Sequence, residues 1–391
     1  MEERVWKFSR SHDETYVDCP RKCYLQYYYG GTGIVRAGLD IAQSTGTLTH
    51  GILERVMKYA MEKDDVPGRG EVNEFCEEAK REYREEINSK GFDEFSGDLT
   101  LEMNRQAALA EGLARVWTIV RLPKLLEQYK VIASEQEHEI PFAPGQVLMS
   151  RLDGELQRRA DNSIFAGPEF KTTGWISEDY IESWRYSTQV LSHALDVRYV
   201  HGEDPAGVML EFLYKGMKKK NQDGEYVYYS PLVRAYRMKG DFGNEEYGFD
   251  SSLGRKKDWE AFDTYTMGMD KWIDQLPEDV MEGCLFNSVV YRSDRELAEW
   301  QRQVAFRQST IQMGVIRLTE EEPTEEMATE VMASVFPARL DKFCFSNQYR
   351  KKCPYLGICY GSISDPLEGS NGFVRRVPHH PSEFTGWQEE D

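Results

Sequence analysis

QVLMSRLDGELQRRADNSIFAGPEFKTT, residues 146–173, places two apolar runs of strand length on either side of a turn sequence, Asp161-Asn162. Asp and Asn tolerate the tight backbone of such a turn, so the stretch predicts an antiparallel pair with Asp153 on one strand beside Glu169 on the next. Side chains alternate along a strand, which puts Glu169 and Lys171 on one face. Upstream, VIASEQEHEI (131–140) alternates Glu135, Glu137 and Glu139 with other residues and reads as a third strand of the same sheet.

Two carboxylates on adjacent strands offer the hard oxygen ligands that Mg²⁺ or Mn²⁺ prefers, and Lys171 can orient an attacking water or stabilise charge on a phosphate. A bound ion lowers the pKa of its water, so these are the parts for phosphodiester hydrolysis. Taken alone, the same residues also describe a cross-strand charge pair on an exposed sheet face.

Outward from the strands, the pattern is helical. Ser11 and Glu14 have capping-box spacing at the start of a short helix, and Pro20 suits the first turn of a second one after Cys19. From Thr47 to Glu62, Leu48, Ile52, Leu53, Val56, Met57 and Ala60 form an apolar stripe, while Gly46, His50 and Glu54 lie on another face. Residues 71–130 read as helix, broken near Gly91 to Asp98 and at Pro123. Residues 177–200, SEDYIESWRYSTQVLSHALDVRYV, read as one helix capped by Ser177, with Arg185, Gln189 and His193 along one face. AGVMLEFLY (206–214) and YVYYSPLVRAYRM (226–238) add strands flanking a hairpin at Asp223-Gly224, and residues 256–315 return to helix.

With 391 residues and 40% hydrophobic content, the chain is long enough for a large core with an insertion. The expected division is N-terminal helices over 1–70, an acidic helical insertion over 71–130, a core sheet and helix over 131–255, a helical lobe over 256–360 and a loose tail over 361–391. No run approaches 18 uncharged apolar residues, and MEERVWKFSR lacks the apolar centre of a secretory signal, so a cytoplasmic chain with no membrane partner is expected. Seven Cys without an export signal favour metal ligation over paired disulfides.

A formal charge of −19 counts against binding a polyanion. Most of the excess sits in residues 71–104, in TEEEPTEEMATE (319–330) and in the final three residues. The rest is nearly balanced, and residues 215–239 are basic: Lys215, Lys218, Lys219, Lys220, Arg234, Arg237 and Lys239, interleaved with Tyr226, Tyr228, Tyr229 and Tyr236. That mixture suits a single strand of nucleic acid, and equally a basic hairpin with its tyrosines turned to the core.

The order Gly46-x-x-x-His50, Arg151-Leu152-Asp153, Glu169-Phe170-Lys171-Thr172 and then Gln189 resembles the RecB-like branch of the PD-(D/E)XK nucleases. The resemblance implies an α/β, restriction-endonuclease-like fold: a mixed central sheet flanked by helices, here with a helical insertion and a C-terminal iron-sulfur lobe. It also implies that His50, Asp153 and Glu169 hold the metal, that Lys171 is catalytic and that Gln189 orients the lysine or the DNA. Two departures stand out. Gly167-Pro168 occupies the usual apolar run before the Glu-x-Lys, where Pro cannot donate to a sheet ladder, and His193 stands where the branch has Tyr.

Cys344, Cys353 and Cys359 lie in FCFSNQYRKKCPYLGIC, and Cys19 lies in DCPRKCYLQYYY. Four thiolates suit a [4Fe-4S] cluster or Zn²⁺. One early Cys with three late ones is similar to the iron-sulfur nucleases of this branch, the CRISPR-associated exonucleases and helicase-nucleases, which favours the cluster. Cys23 competes with Cys19 as the early ligand; Cys76 and Cys284 read as small packed side chains.

The expected function is a metal-dependent DNA exonuclease acting on single strands or duplex ends, in phage or prokaryotic replication, recombination or repair. A nucleic-acid-binding or assembly subunit without catalysis is the rival. No Gly-x-x-x-x-Gly-Lys-Ser/Thr motif is present, so a helicase or recombination partner is a separate chain.

Overall fold

The computed structural model describes residues 5–37, 41–89, 97–203, 206–220, 226–229, 276–319, 324–345 and 352–377, together with Leu232, Met269 and Ile273. In chain order its elements are β1 (Trp6–Ser9), α1 (Arg10–Asp18), α2 (Pro20–Cys23), β2 (Ile34–Arg36), α3 (Ile41–Lys63), α4 (Arg69–Ser89), α5 (Gly97–Val116) and α6 (Leu122–Gln128). Then follow β3 (Tyr129–Ala143), β4 (Gln146–Arg158), β5 (Ile164–Thr173), α7 (Glu178–Ser183), α8 (Thr188–His201), β6 (Ala206–Tyr214), β7 (Met217–Lys220) and β8 (Tyr226–Tyr229). The chain ends with α9 (Glu278–Glu282), β9 (Leu285–Arg292), α10 (Asp294–Thr319), α11 (Glu325–Ser334), α12 (Lys342–Phe345), α13 (Leu356–Cys359) and β10 (Phe373–Arg375).

The chain divides into two compact units, one made of residues 1–38, 137–150 and 293–391 and the other of residues 39–136 and 151–292. In the second unit the strands run β4-β5-β6-β9, a mixed sheet: β4 and β5 antiparallel, β5 and β6 parallel, β6 and β9 antiparallel. The turn at Asn162, with φ 62°, returns the chain from β4 to β5 as its residue types predict. The parallel step from β5 to β6 needs a crossover, which α7 and α8 supply.

Helices flank this sheet. The α3 stripe, Leu48, Ile52, Leu53, Val56, Met57 and Ala60, is buried with Leu109, Leu113 and Trp117 against Phe165, Phe170, Met209 and Leu213 of the strands. Burying each large aliphatic side chain contributes about 1.5–3 kcal/mol, which is why helical periodicity read this element well. Glu211 lies in the same layer, taking a hydrogen bond from Trp117 Nε1 at 3.3 Å and one from Arg121 Nε at 2.8 Å. Cys76 and Cys284 are fully buried there.

Four expectations are corrected in these elements. Pro123 does not break the helical run; it lies at the start of α6, directly after a π-helical turn over Trp117–Arg121. The helix read over 177–200 is two helices. Ser187 is extended, its Oγ accepts from Gln189 N at 3.1 Å, and it caps α8, leaving Arg185 in a 3₁₀ turn off the Gln189 and His193 face. Residues 285–292, expected to be helix, form β9, which pairs antiparallel with β6 although LFNSVVYR has no period-two alternation. The first helix begins at Arg10 after Ser9, not at a Ser11 box. The β7–β8 hairpin forms with the register Met217↔Tyr229, while its Asp223-Gly224 turn and Arg234, Tyr236, Arg237 and Lys239 lie outside the described residues, as does the break placed near Gly91.

In the first unit, β1 pairs in parallel with residues 146–149 of β4. Asp13 on α1 holds Arg307 of α10 through two hydrogen bonds of 2.9 and 2.6 Å, and Gln308 accepts from Trp6 Nε1 at 3.1 Å. Residues 361–391, expected to be a loose tail, include an ordered strand: β10 pairs antiparallel with β2, and Phe373 packs with Leu25, Ile34 and Tyr355. Among the described residues no helix is long and apolar enough to cross a membrane.

Candidate active site and thiol cluster

Between Ala166 and Glu169 the β5–β6 register shifts, because three steps along β5 match two along β6. Gly167 and Pro168 fall inside this bulge. Gly167 has φ +121°, and a Cβ there would lie 2.5 Å from the Met209 carbonyl, so the position requires glycine. The departure at Gly167-Pro168 is thus absorbed as a strand irregularity, and Pro168 has no ladder partner to fail.

Beyond the bulge, Phe170 enters the α3 core, while Glu169 and Lys171 turn to the opposite face, toward α8. Glu169 is buried. Lys171 Nζ donates to its Oε1, Gln189 Nε2 donates to the same oxygen at 2.6 Å, and His193 Nδ1 stands 3.2 Å from Oε2. Gln189 and His193 are one helical turn apart, which is how a single helix reaches both oxygens. Burial pushes the carboxyl toward protonation, but Lys171 and His193 outweigh it and hold Glu169 below the usual carboxylate range.

Asp153, on β4, accepts from the Phe170 backbone N–H at 3.0 Å through Oδ2, and the same oxygen lies 3.5 Å from His50 Nδ1. The strand pair and α3 therefore bring His50 and Asp153 together. Burial works to lower the imidazole's pKa, and Asp153 beside it more than offsets that, so His50 titrates above its ordinary value. All five residues singled out in the sequence, His50, Asp153, Glu169, Lys171 and Gln189, lie in the second unit.

The sequence model described as the PD-(D/E)XK nuclease superfamily matches residues 7–360. The chain belongs to the PD-(D/E)XK nuclease superfamily. That membership carries metal-dependent nuclease chemistry, with divalent ions such as Mg²⁺ or Mn²⁺ and a nucleic-acid substrate. No curated protein matches the chain. Asp153 and Glu169-Phe170-Lys171 fit the spelling of the superfamily's name, with Leu152 where the name has Pro.

Two neighbours of this PD-(D/E)XK site were not assigned from sequence. Glu135, on β3, has φ 50° and pairs with Arg151 at 3.3 Å. Burial and then Asp153 push its carboxyl up to about 7, so it stands close enough to share the charge of the site. Nothing in the alternating Glu135, Glu137, Glu139 distinguishes it. His193 shares a helix face with Gln189 in the sequence pattern, and that four-residue spacing is the signal that links it to Glu169.

In the first unit, Cys19, Cys344, Cys353 and Cys359 line one pocket with Lys22, Leu340 and Tyr355. Two segments build it: the Cys19-Pro20 start of α2, and the 344–359 stretch, where Cys353 N donates to the Cys344 carbonyl at 2.8 Å and Cys359 N to Tyr355 at 3.0 Å. Tyr355 in turn donates to the Ile34 carbonyl at 2.7 Å, fastening this stretch to β2. Burial raises the Cys359 thiol to about 11, and the neighbouring Cys353, Cys19 and Cys344 add to the rise. Cys23 stands apart: it is fully buried and its Sγ donates to the His12 carbonyl at 3.6 Å.

Proposed function

We propose that this PD-(D/E)XK protein is a metal-dependent DNA exonuclease acting on single strands or duplex ends, serving phage or prokaryotic replication, recombination or repair. One observation carries the reading: Lys171 and Gln189 both donate to Glu169 Oε1 with His193 Nδ1 3.2 Å from Oε2, and Asp153, held by the N–H of the adjoining Phe170, stands 3.5 Å from His50.

One imidazole and two carboxylates are donor types that a divalent ion accepts. His50 Nδ1 and Asp153 Oδ2 are 3.5 Å apart, near the ~3 Å between adjacent ligands of an octahedral site. His50, Asp153 and Glu169 would hold the ion. When bound, it supplies a water of lowered pKa and neutralises charge on the phosphate. The protein's own part is placement. Gln189 and Lys171 hold Glu169 Oε1, Phe170 N–H fixes Asp153, and the Lys171 ammonium presents positive charge beside Glu169 where a phosphate oxygen gains charge.

The four-thiol pocket supports a [4Fe-4S] cluster held by Cys19, Cys344, Cys353 and Cys359. Burial raises the Cys353 and Cys359 thiols, so a strongly cationic occupant is needed for them to lose their protons, and iron or zinc would supply it. Such a cluster ties α2 to the 344–359 stretch and takes no part in hydrolysis.

The test is degradation of end-labelled single- and double-stranded DNA with Mg²⁺ or Mn²⁺. Metal-dependent release of short products from an end supports the reading, and a protein that binds DNA but leaves it intact under every ion overturns it in favour of a binding subunit.

A further inference from the structure

Between β5 and α8 the chain carries four large aromatic residues in twelve positions, Trp175, Tyr180, Trp184 and Tyr186. Three of them form a chain of edge-to-face rings: Trp175 to Tyr180 at 5.9 Å between centroids, and Tyr180 to Trp184 at 6.3 Å. Phe212 of β6 anchors it from below, 5.9 Å from Tyr180 and 6.2 Å from Trp184. Trp175 at the end of that chain and Tyr186, two residues beyond Trp184, are open to solvent, at 52% and 77%. Rings this exposed add little to folding, and a grouped set of them marks a binding surface.

The backbone beneath is pinned rather than loose. Thr173 Oγ1 both donates to the Trp175 carbonyl at 2.6 Å and accepts from its N–H at 3.2 Å, and Ser177 and Ser187 cap α7 and α8. The set also touches the candidate active site directly: Lys171 Nζ lies 5.1 Å from the Trp184 ring centroid. Glu178, Asp179 and Glu182 are exposed on α7 and repel phosphates, with exposed Arg185 the one cation between Trp184 and Tyr186, so the rings rather than net positive charge distinguish this surface.

We propose that Trp175, Tyr180, Trp184 and Tyr186 form a platform on which unpaired bases stack as a strand approaches Lys171, which selects single-stranded or frayed ends over intact duplex. This rests on the reading of Lys171 as part of a nuclease centre. A base in a duplex has both faces covered by its neighbours, whereas every unpaired base exposes a π-face of whatever sequence. The platform therefore favours splayed strands without reading their sequence.

The experiment measures binding by the full-length protein in chelator, so hydrolysis plays no part. The probes are oligothymidylate, an abasic strand with the same number of phosphates, and a blunt duplex. Oligothymidylate should quench tryptophan fluorescence and the abasic strand should not. Trp175→Ala and Tyr186→Ala should each weaken oligothymidylate binding about 5- to 150-fold, with Trp175→Phe restoring most of the loss. Equal affinity of the unaltered protein for oligothymidylate and the abasic strand, or unchanged binding by both alanine variants, overturns the platform. So does an equal loss for the duplex. Failure to cleave DNA when metal is restored counts against the nuclease reading alone, because stacking is measured without metal.

Discussion

Gln189 Nε2 donates to Glu169 Oε1 at 2.6 Å, so α8 holds a carboxylate of β5 in one rotation. A hydrogen bond to a charged group of this kind is worth about 1.5–3 kcal/mol, so Gln189→Ala should slow DNA hydrolysis about 10- to 100-fold at saturating metal and DNA. Steady-state rates check this, with KM for DNA expected to move little. An unchanged kcat removes the positioning role assigned to Gln189.

Lys171→Ala removes the positive charge beside Glu169. Metal-dependent cleavage should fall by about 10²–10³-fold or more, while circular dichroism shows the fold retained. Undiminished cleavage would show that the catalytic centre lies elsewhere in the chain.

Cys19→Ser and Cys23→Ser separate a ligand from a packed thiol. With protein purified without oxygen, Cys19→Ser should lose iron and sulfide and the brown colour of the cluster. Cys23→Ser should keep its iron, since Cys23 faces the His12 carbonyl and not the pocket. Zinc in place of iron in the unaltered protein would reassign the cluster, and iron loss in both variants would reopen the choice of ligand.

Glu211 gives a pH dependence of stability. Burial dominates over Arg121 and Trp117 and raises this carboxyl from 4.5 to about 7. Because the folded state then binds a proton that the unfolded state releases, this group's contribution to stability is lost as pH rises from 4.5 to about 7. Glu211→Gln keeps a hydrogen-bonding side chain and removes the titration. Urea midpoints at both ends of that window should therefore show the variant gaining on the unaltered protein as pH rises; parallel changes in both proteins would contradict it.

Gly167→Ala should destabilise the second unit by about 1–3 kcal/mol, since φ +121° is strained for any residue with a Cβ and the Met209 carbonyl blocks the space. Thermal denaturation checks the size, and a variant as stable as the original would mean that the bulge can relax.

The second unit's strands were legible where a local rule acts alone. Asp161-Asn162 is a turn because those side chains suit the left-handed backbone, and the α3 stripe is a core face because its spacing leaves no other way to bury six apolar residues. Where two rules compete, the sequence misled. Ser187 interrupts a stretch whose periodicity is helical throughout, because a hydroxyl that caps the backbone outweighs continuation. β9 was hidden because LFNSVVYR shows its strand character only against β6. β10 is three residues long and exists through pairing with β2, some 340 positions away. At the site, carboxylates on neighbouring strands were readable from period two, while Glu135 was not, since nothing in the alternation of Glu135, Glu137 and Glu139 marks out one of the three.

The bulge in β5 makes the active centre a matter of counting. Phe165 and Phe170 are an odd number of residues apart and still share the buried face, because the register gains one residue between them. A descendant lacking one residue between positions 166 and 169 would place Phe165 and Phe170 four apart, the spacing of a regular strand, and so keep Phe170 inward and Glu169 and Lys171 outward without the bulge. Losing both Gly167 and Pro168 would place them three apart and send Glu169 and Lys171 inward or expel Phe170. Loss of one residue at this point should therefore be tolerated where loss of two is not, so that parity, and not only residue identity, is what selection guards.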